Sequence, residues 1–357
     1  MTKTWRIIDT GLRPAAENLA FNRALLEARQ ANEIPNTLRF LRFTPSALLG
    51  YHQSAEQELN LDYCAAHHID IQRRITGGGA IYFDEAQLGW ELYLTRQDVG
   101  SADMQAISRR ICEAAARAIS SLGVKARYRP RNDIEVNGRK ISGTGGAFDG
   151  DALMYQGTLL IDFDVEKMLR VLRIPAEKLS DKAIASARER VTSLRELLGD
   201  VPTLPAIQQA MSDAFAAEFC VDISDGQLAK AELLRYEMAL AEISQPDWVN
   251  LLQRPAADLP ILDAAQKFEG GLLRASVAYD RTGRRIKQVW FSGDLFVSPR
   301  RTLVDLESAL KDTALDRLEE IVGAFFAARP VDMLSLPPSA FALIVRQAVG
   351  STEKAMG

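Results

Sequence analysis

The chain has 357 residues, enough for two domains, and its 47% apolar and 25% charged residues are ordinary for a soluble globular protein. A net charge of -4 excludes a global basic footprint for nucleic acid. No apolar run reaches the length of a membrane span, and the opening MTKTWRIIDTG lacks the apolar core of a signal peptide, so a cytoplasmic protein with no membrane partner is expected.

In chain order, residues 5–8 predict a strand and residues 14–30 a helix, with Pro14 at the first turn, where its missing N–H does no harm. Residues 38–43 and 47–51 read as short strands split by Thr44-Pro45. Asn60 or Asp62 caps a short helix that ends near His67, and residues 69–75 form the next strand. Three consecutive glycines follow, Gly77, Gly78 and Gly79, and then strands at residues 80–83 and 88–94. Glycine loses the most backbone entropy on ordering, so such a run implies that a ligand or another backbone comes very close. A phosphate or an acyl chain is the expected tenant.

Residues 101–122 predict the best-defined helix, because Met104, Ile107, Ile111, Ala114, Ala118 and Leu122 recur at threes and fours and Gly123 follows as a stop. Asn137-Gly138 predicts a two-residue hairpin, since both central residues of a type I′ turn need positive φ. Val136 then pairs with Arg139 and Glu135 with Lys140. Strict alternation puts Asp133, Glu135, Lys140, Ser142 and Thr144 on one face, and Ile134, Val136, Arg139 and Ile141 on the other. A strand at residues 153–163 carries Gln156-Gly157-Thr158. Helices are expected at residues 165–172, 204–219 and 227–243. Pro246, Pro255 and Pro260 break the chain, so residues 1–245 read as one domain, 246–260 as a linker and 261–357 as a second domain. That second domain holds strands at residues 268–278 and 286–291, then a helical tail at residues 302–328.

Arg73, Arg74, Lys125, Arg127, Arg129, Arg131, Arg139 and Lys140 gather around the two glycine-bearing stretches. A basic mouth on a mildly acidic protein suits a small anionic ligand or an acidic protein partner; a solvated charged face is the plainer alternative. Cys64, Cys112 and Cys220 are far apart and form no CxxC, so neither a zinc site nor a disulfide framework is indicated. His67 and His68 are adjacent and read as helix-end residues.

RRITGGGAIYFD, RNDIEVNGRKISGTG, YQGTLL and RVTSLRELL, in this order and spacing, resemble the lipoate–protein ligase A family, within the group that also holds octanoyltransferases and biotin ligases. The stretch GGLLRASVAYDRTGRRIKQVWFSGDLF is similar to that family's small accessory domain. The resemblance implies a mixed β-sheet flanked by helices, an α/β (α+β) fold, with a small α+β accessory domain. It implies that lipoate, or octanoate, and ATP with Mg²⁺ form an acyl-AMP, and that the acyl group then passes to a lysine of a lipoyl-carrier protein. By the same resemblance Lys140 is the key catalytic residue. Arg73, Gly77, Gly78, Gly79, Tyr82, Asn132, Asp133, Gly157 and Thr158 bind the acyl-adenylate, and Asp133 is the carboxylate for Mg²⁺. Fixed N–H groups and one cation are what developing phosphate and carbonyl charge requires. Phe83 and Gln156 stand where relatives commonly carry histidine, and Phe83, which can neither donate nor accept, removes polar contacts expected at that pocket edge. These departures resemble a branch serving a glycine-cleavage-H-like carrier in bacterial sulfur oxidation. A monomer is expected.

Three alternatives follow from the same residues. An octanoyltransferase working through a cysteine thioester needs an activated thiolate near the lysine, and no cysteine falls in the Lys140 hairpin or the Gly157 strand. Cys112, in the striped helix, and Cys220, at a helix end, read as buried and inert. A biotin ligase lacks its usual glycine- and arginine-rich loop here. A non-catalytic lipoate-binding assembly protein has no reason to keep Lys140 and Asp133.

Overall fold

A computed structural model describes residues 3–100, 103–130, 132–173, 181–252 and 259–353. Arg131 and Pro255, both used above, lie outside them. The chain divides into two compact units: Met1–Leu48, Glu58–Ile75 and Ile81–Val249 form the first, and Leu49–Gln57, Thr76–Ala80 and Asn250–Gly357 the second.

The first unit opens with β1 (Lys3–Arg13), α1 (Ala15–Gln30), β2 (Thr37–Phe43) and β3 (Ser46–Leu49). In chain order come the short α2 (Ala55–Glu58), all but the last residue of which belongs to the second unit, and α3 (Leu61–Ala66), which Asn60 caps by accepting from the Tyr63 N–H. Next come β4 (Asp70–Arg73), β5 (Ile81–Phe83), β6 (Gln87–Thr95), α4 (Arg96–Val99) and α5 (Met104–Ser121). Four strands then run in succession, β7 (Ala126–Arg129), β8 (Asp133–Val136), β9 (Arg139–Asp149) and β10 (Ala152–Leu160). The rest of the unit is α6 (Val165–Val171), α7 (Asp181–Arg188), α8 (Leu194–Leu198), α9 (Leu204–Phe219), β11 (Val221–Asp225), α10 (Lys230–Ile243) and α11 (Pro246–Val249).

Eight strands make one mixed sheet in the order β11-β1-β2-β6-β10-β9-β8-β7, and β4-β3-β5 make a smaller one. The large sheet alternates as its period of two demands. Trp90, Leu92, Leu153, Tyr155 and Leu159 face one side and pack with Ile107, Ile111 and Ala115 of α5 and with Ile207, Met211 and Phe215 of α9. The stripe read from residues 104–122 is therefore the buried face of α5. On the other side Tyr93 and Met154 pack with Leu25 and Leu26 of α1, and Leu41 and Phe43 with Ala239 and Ile243 of α10.

In the second unit, β12 (Ile261–Phe268), β13 (Gly271–Asp280) and β14 (Arg285–Gly293) pair antiparallel. The short β15 (Val297–Ser298), α12 (Thr302–Ala309), β16 (Thr313–Ala314), α13 (Leu318–Ala327), β17 (Asp332–Met333) and α14 (Ser339–Glu353) complete it. The tail expected as one helix is broken. Asp312 takes positive φ, and β16 pairs with β14 before α13 begins, so the strand ladder overrides the helical pattern. Phe341, Ile344 and Val345 of α14 fill this unit's core against Leu273, Val277 and Phe291.

Candidate active site

The hairpin that carries Lys140 forms as its sequence dictates. Asn137 and Gly138 take φ of 52° and 80°, Val136 pairs with Arg139, and Glu135 pairs with Lys140. Beyond that point the register shifts: Ile134 pairs with Ser142 and Asp133 with Gly143. Ile141 is the extra residue of a β-bulge. This corrects the strict alternation. Ser142 and Thr144 turn to the face covered by α5, and Gly143 comes under Lys140.

The consequence is steric and electrostatic. A Cβ on Gly143 would lie 2.6 Å from Lys140 Nζ and 2.7 Å from its Cε, so glycine makes the room in which the lysine side chain lies. Lys140 Nζ sits 2.8 Å from one oxygen of Asp133, and Arg129 donates to the other at 2.5 Å. Burial raises the Asp133 carboxyl, but the Lys140 ammonium and the Arg129 guanidinium outweigh it and hold the pKa below the ordinary aspartate value. Arg127 and Arg129 pair with the buried Glu135, and Arg139 pairs with Glu196. These cations of the basic stretch are thus matched rather than a bare positive mouth.

The strand edge at Lys140 is held from outside the hairpin. Lys140 N–H donates to the Arg190 carbonyl and the Thr192 N–H donates to the Lys140 carbonyl, both at 2.8 Å, which places RVTSL beside the lysine. On β10, Thr158 faces the same side as Lys140, and its hydroxyl accepts from the Gly143 N–H at 3.4 Å. Gln156 lies on that side too, opposite Glu91 of β6. Glu91 is buried and accepts from Arg39 Nη1 at 2.9 Å and from the Tyr93 hydroxyl at 2.6 Å. Gly157 faces the opposite way. Its Cβ would fall 2.2 Å from the Trp90 ring, so the residue is glycine because an indole occupies its space.

The remaining candidates are held by neighbours of their own. Arg73 is fully buried and donates to the carbonyls of Trp248 at 3.1 Å and Val249 at 2.6 Å, while the Trp248 indole donates back to the Arg73 carbonyl at 2.9 Å. Tyr82 is buried beneath Lys167, whose Nζ lies 5.3 Å from the ring centre. Phe83 is buried. It packs 4.6 Å from Phe43 in an apolar cluster with Leu41, Leu48 and Ile243, where a side chain without hydrogen-bonding groups is what the surroundings require. The glycine run belongs to the second unit. A Cβ on Gly77 would meet the Leu295 carbonyl oxygen at 2.0 Å, one on Gly50 would meet that of Gly78 at 1.8 Å, and the Gly78 N–H donates to Leu295. The close approach there is made by backbone, and Gly78, at φ 97°, takes a conformation that favours glycine.

The three thiols differ from their expected settings in one case. Cys64 and Cys112 are buried, and burial pushes the Cys64 thiol up to about 11 and the Cys112 thiol above its ordinary value. Cys220 is exposed, at the left-handed residue that ends α9, and not buried as read. Among the described residues no group of three acidic, histidine or cysteine side chains could hold a metal ion. Each oxygen of Asp133 accepts from one cation, Lys140 or Arg129, and keeps a second lone pair. No helix of the described residues is long and apolar enough to cross a membrane.

A mixed sheet flanked by helices thus presents a lysine fixed over a glycine beside an acidic partner, an α/β catalytic-domain architecture. Residues 14–216 match the model of the lipoyl protein ligase A/B catalytic domain, and the chain belongs to that family and is an enzyme. It is 30% identical to lipoate-protein ligase A subunit 1 of Thermoplasma acidophilum over 66% of this chain and 93% of that one. It is 29% identical to lipoate–protein ligase 1 of Staphylococcus aureus over 82% and 85%. It is also 26% identical to the octanoyltransferase LipM of Kyrpidia tusciae over 69% and 98%. Among solved structures, a lipoate-protein ligase A bound with ATP superposes with a TM-score of 0.61 at 25% identity, covering 71% of this chain and all of that one. The bi-partite ligase of T. acidophilum, solved in a study of that ligase and its E2 lipoyl domain, gives 0.61 at 27%, with the same coverage. Plasmodium falciparum LipL1 shares the fold over 92% of this chain and 95% of its own, at a TM-score of 0.72 and 18% identity.

Proposed function

We propose that this enzyme is an ATP-dependent lipoate–protein ligase. It joins the carboxylate of lipoate or octanoate to the α-phosphorus of ATP, releasing pyrophosphate. It then passes the acyl group from AMP to the amine of a lysine on a lipoyl-carrier protein. The observation that carries this reading is Lys140, anchored by Asp133 above Gly143 on the sheet face that Thr158 shares. A fixed cation of this kind favours the charge that develops on phosphate and carbonyl oxygens. Its position costs no reorganisation during the reaction, because bulge, carboxylate and flanking strand hold it beforehand. The likeness to an ATP-bound ligase supports the nucleotide, and the T. acidophilum ligase with its E2 lipoyl domain supports a lipoyl domain as acceptor. Magnesium is proposed to arrive with the nucleotide, with Asp133 the carboxylate that would meet it.

A thiol-dependent octanoyl transfer is the second reading that the LipM likeness raises. The cysteine nearest the Lys140 strand is Cys112, and it is buried on the far face of the sheet, hydrogen-bonded to Thr144 and Tyr155. Its raised pKa opposes the thiolate that such chemistry needs. Incubation with ATP, Mg²⁺, lipoate and a lipoyl domain, with pyrophosphate and acceptor mass as readouts, separates the two. Lys140→Ala is expected to slow acyl-AMP formation by about 10²–10³-fold. Its melting temperature should hold, because Arg129 still neutralises Asp133. Near-normal pyrophosphate release by that variant would falsify the assignment. A protein carrying Cys64→Ala, Cys112→Ser and Cys220→Ser is expected to keep most of its activity; loss of transfer in that protein favours the thiol route.

A further inference from the structure

We propose that Thr144 is a positioning residue for the Asp133–Lys140 pair, acting from the opposite face of the sheet; the inference rests on the ligase reading above. Three hydrogen bonds join Thr144 to Asn132. The Asn132 carbonyl accepts from the Thr144 N–H at 2.8 Å and from its hydroxyl at 2.9 Å, and the Asn132 side-chain amide donates to the Thr144 carbonyl at 2.6 Å. That carbonyl belongs to the peptide linking Asn132 to Asp133. With both lone pairs taken, the peptide plane is fixed, and with it the point from which the Asp133 side chain leaves.

The hydroxyl is itself held. Thr144 has one proton, and the Asn132 carbonyl can only accept, so Thr144 must receive its bond from the Tyr155 hydroxyl, 2.8 Å away. Cys112 Sγ, in the middle of α5, lies 3.3 Å from both hydroxyl oxygens, and with their protons so assigned its thiol can donate to either. A directed chain of donors therefore runs from Tyr155, against Cys112 of α5, through Thr144 to the Asn132 carbonyl, with Cys112, Tyr155 and Thr144 all buried. It ends one residue before the carboxylate that holds Lys140 Nζ. The bulge at Ile141 makes this possible, because strict alternation would aim Thr144 at the ligand side instead. Displacement of a reacting cation by even one ångström lowers the rate of the step it serves, with little effect on ground-state binding.

Thr144→Val keeps the shape and removes the proton; Thr144→Ser keeps the proton and removes the methyl. In the full chain, Thr144→Val is expected to lower kcat for pyrophosphate release about tenfold, with KM for lipoate and ATP within about twofold of the parent. Thr144→Ser should recover kcat to within about threefold. A second readout does not depend on the activity: acetylation of Lys140 by acetic anhydride, followed by peptide mass, should be faster in Thr144→Val than in the parent and in Thr144→Ser. Tyr155→Phe, which frees the Thr144 hydroxyl to turn away, should shift both readouts less and in the same direction, and it serves if Thr144→Val does not fold. Unchanged kcat and unchanged labelling in Thr144→Val overturn the proposal, as does a serine variant as slow as the valine one, or a loss confined to KM. A parent protein that releases no pyrophosphate sinks the ligase reading alone, since the labelling comparison still decides the role of Thr144.

Discussion

At Gly143 a single added methyl group would have a specific cost. Its Cβ would collide with the end of a flexible side chain, Lys140 Cε and Nζ, and with no backbone. Gly143→Ala should therefore fold normally and displace the lysine from Asp133, lowering the rate of acyl-AMP formation by about tenfold or more. Activity at parental level, with an unchanged melting temperature, would show that the lysine tolerates the shift. Lys140 itself was legible in the sequence, because Asn137-Gly138 sets the pairing of Glu135 with Lys140 from turn chemistry alone. Gly143 was legible only as a glycine. Nothing in SGTG tells whether the space above it belongs to a ligand or to a side chain three residues back. Arg129 carried a signal that went unread: Arg127-Tyr128-Arg129 alternates in the period of a strand, which aims both arginines at the acidic row of β8.

Along β10 and β6 the two faces of one strand pair divide the labour. Thr158 and Gln156 look toward the lysine side, while Gly157 leaves a hole that Trp90 fills from the neighbouring strand. Gly157→Ala is expected to act as an overpacking change, costing about 1–3 kcal/mol of stability. Chemical denaturation measures it, and a variant as stable as the parent would mean that the indole can step aside. YQGTLL thus carried a true pattern, but neighbouring positions in it serve a core and a cleft by turns. Phe83 was harder to read for a related reason. A three-residue strand, β5, gives too few positions for alternation to show its buried face, and the partner Phe43 comes from forty residues earlier. The helical stripe of α5, by contrast, spans five turns and could be read directly.

At the scale of the whole molecule, periodicity located most of the first unit's strands and helices, the family resemblance implied the mixed sheet they form, and neither reached most of what binds the second unit internally. Its first strand, β12, and its last helix, α14, were unread, and its middle helix was joined to a neighbour across a turn that only the β14–β16 ladder explains. That unit holds one carboxyl in an unusual setting. Glu307 accepts from the Phe291 N–H at 2.7 Å, and burial pushes its pKa up to about 7 despite that bond. A carboxyl raised on folding favours the folded state in its protonated form. Its contribution is complete below the ordinary glutamate range and is lost as pH rises through about 7. The thermal midpoint of the transition that includes this unit should be higher at pH 6 than at pH 8, and Glu307→Gln should flatten the difference; an unflattened slope would assign it to another group. The bulge at Ile141 bears on how the site could be moved to another protein. Because it adds one residue to the count between Lys140 and Thr144, those five positions travel only as a block. A graft that copied the lysine and the glycine onto a regular hairpin would keep Asp133 beside the lysine but put Gly143 on the other face, leaving a side chain where the lysine needs room and Thr144 aimed away from Tyr155.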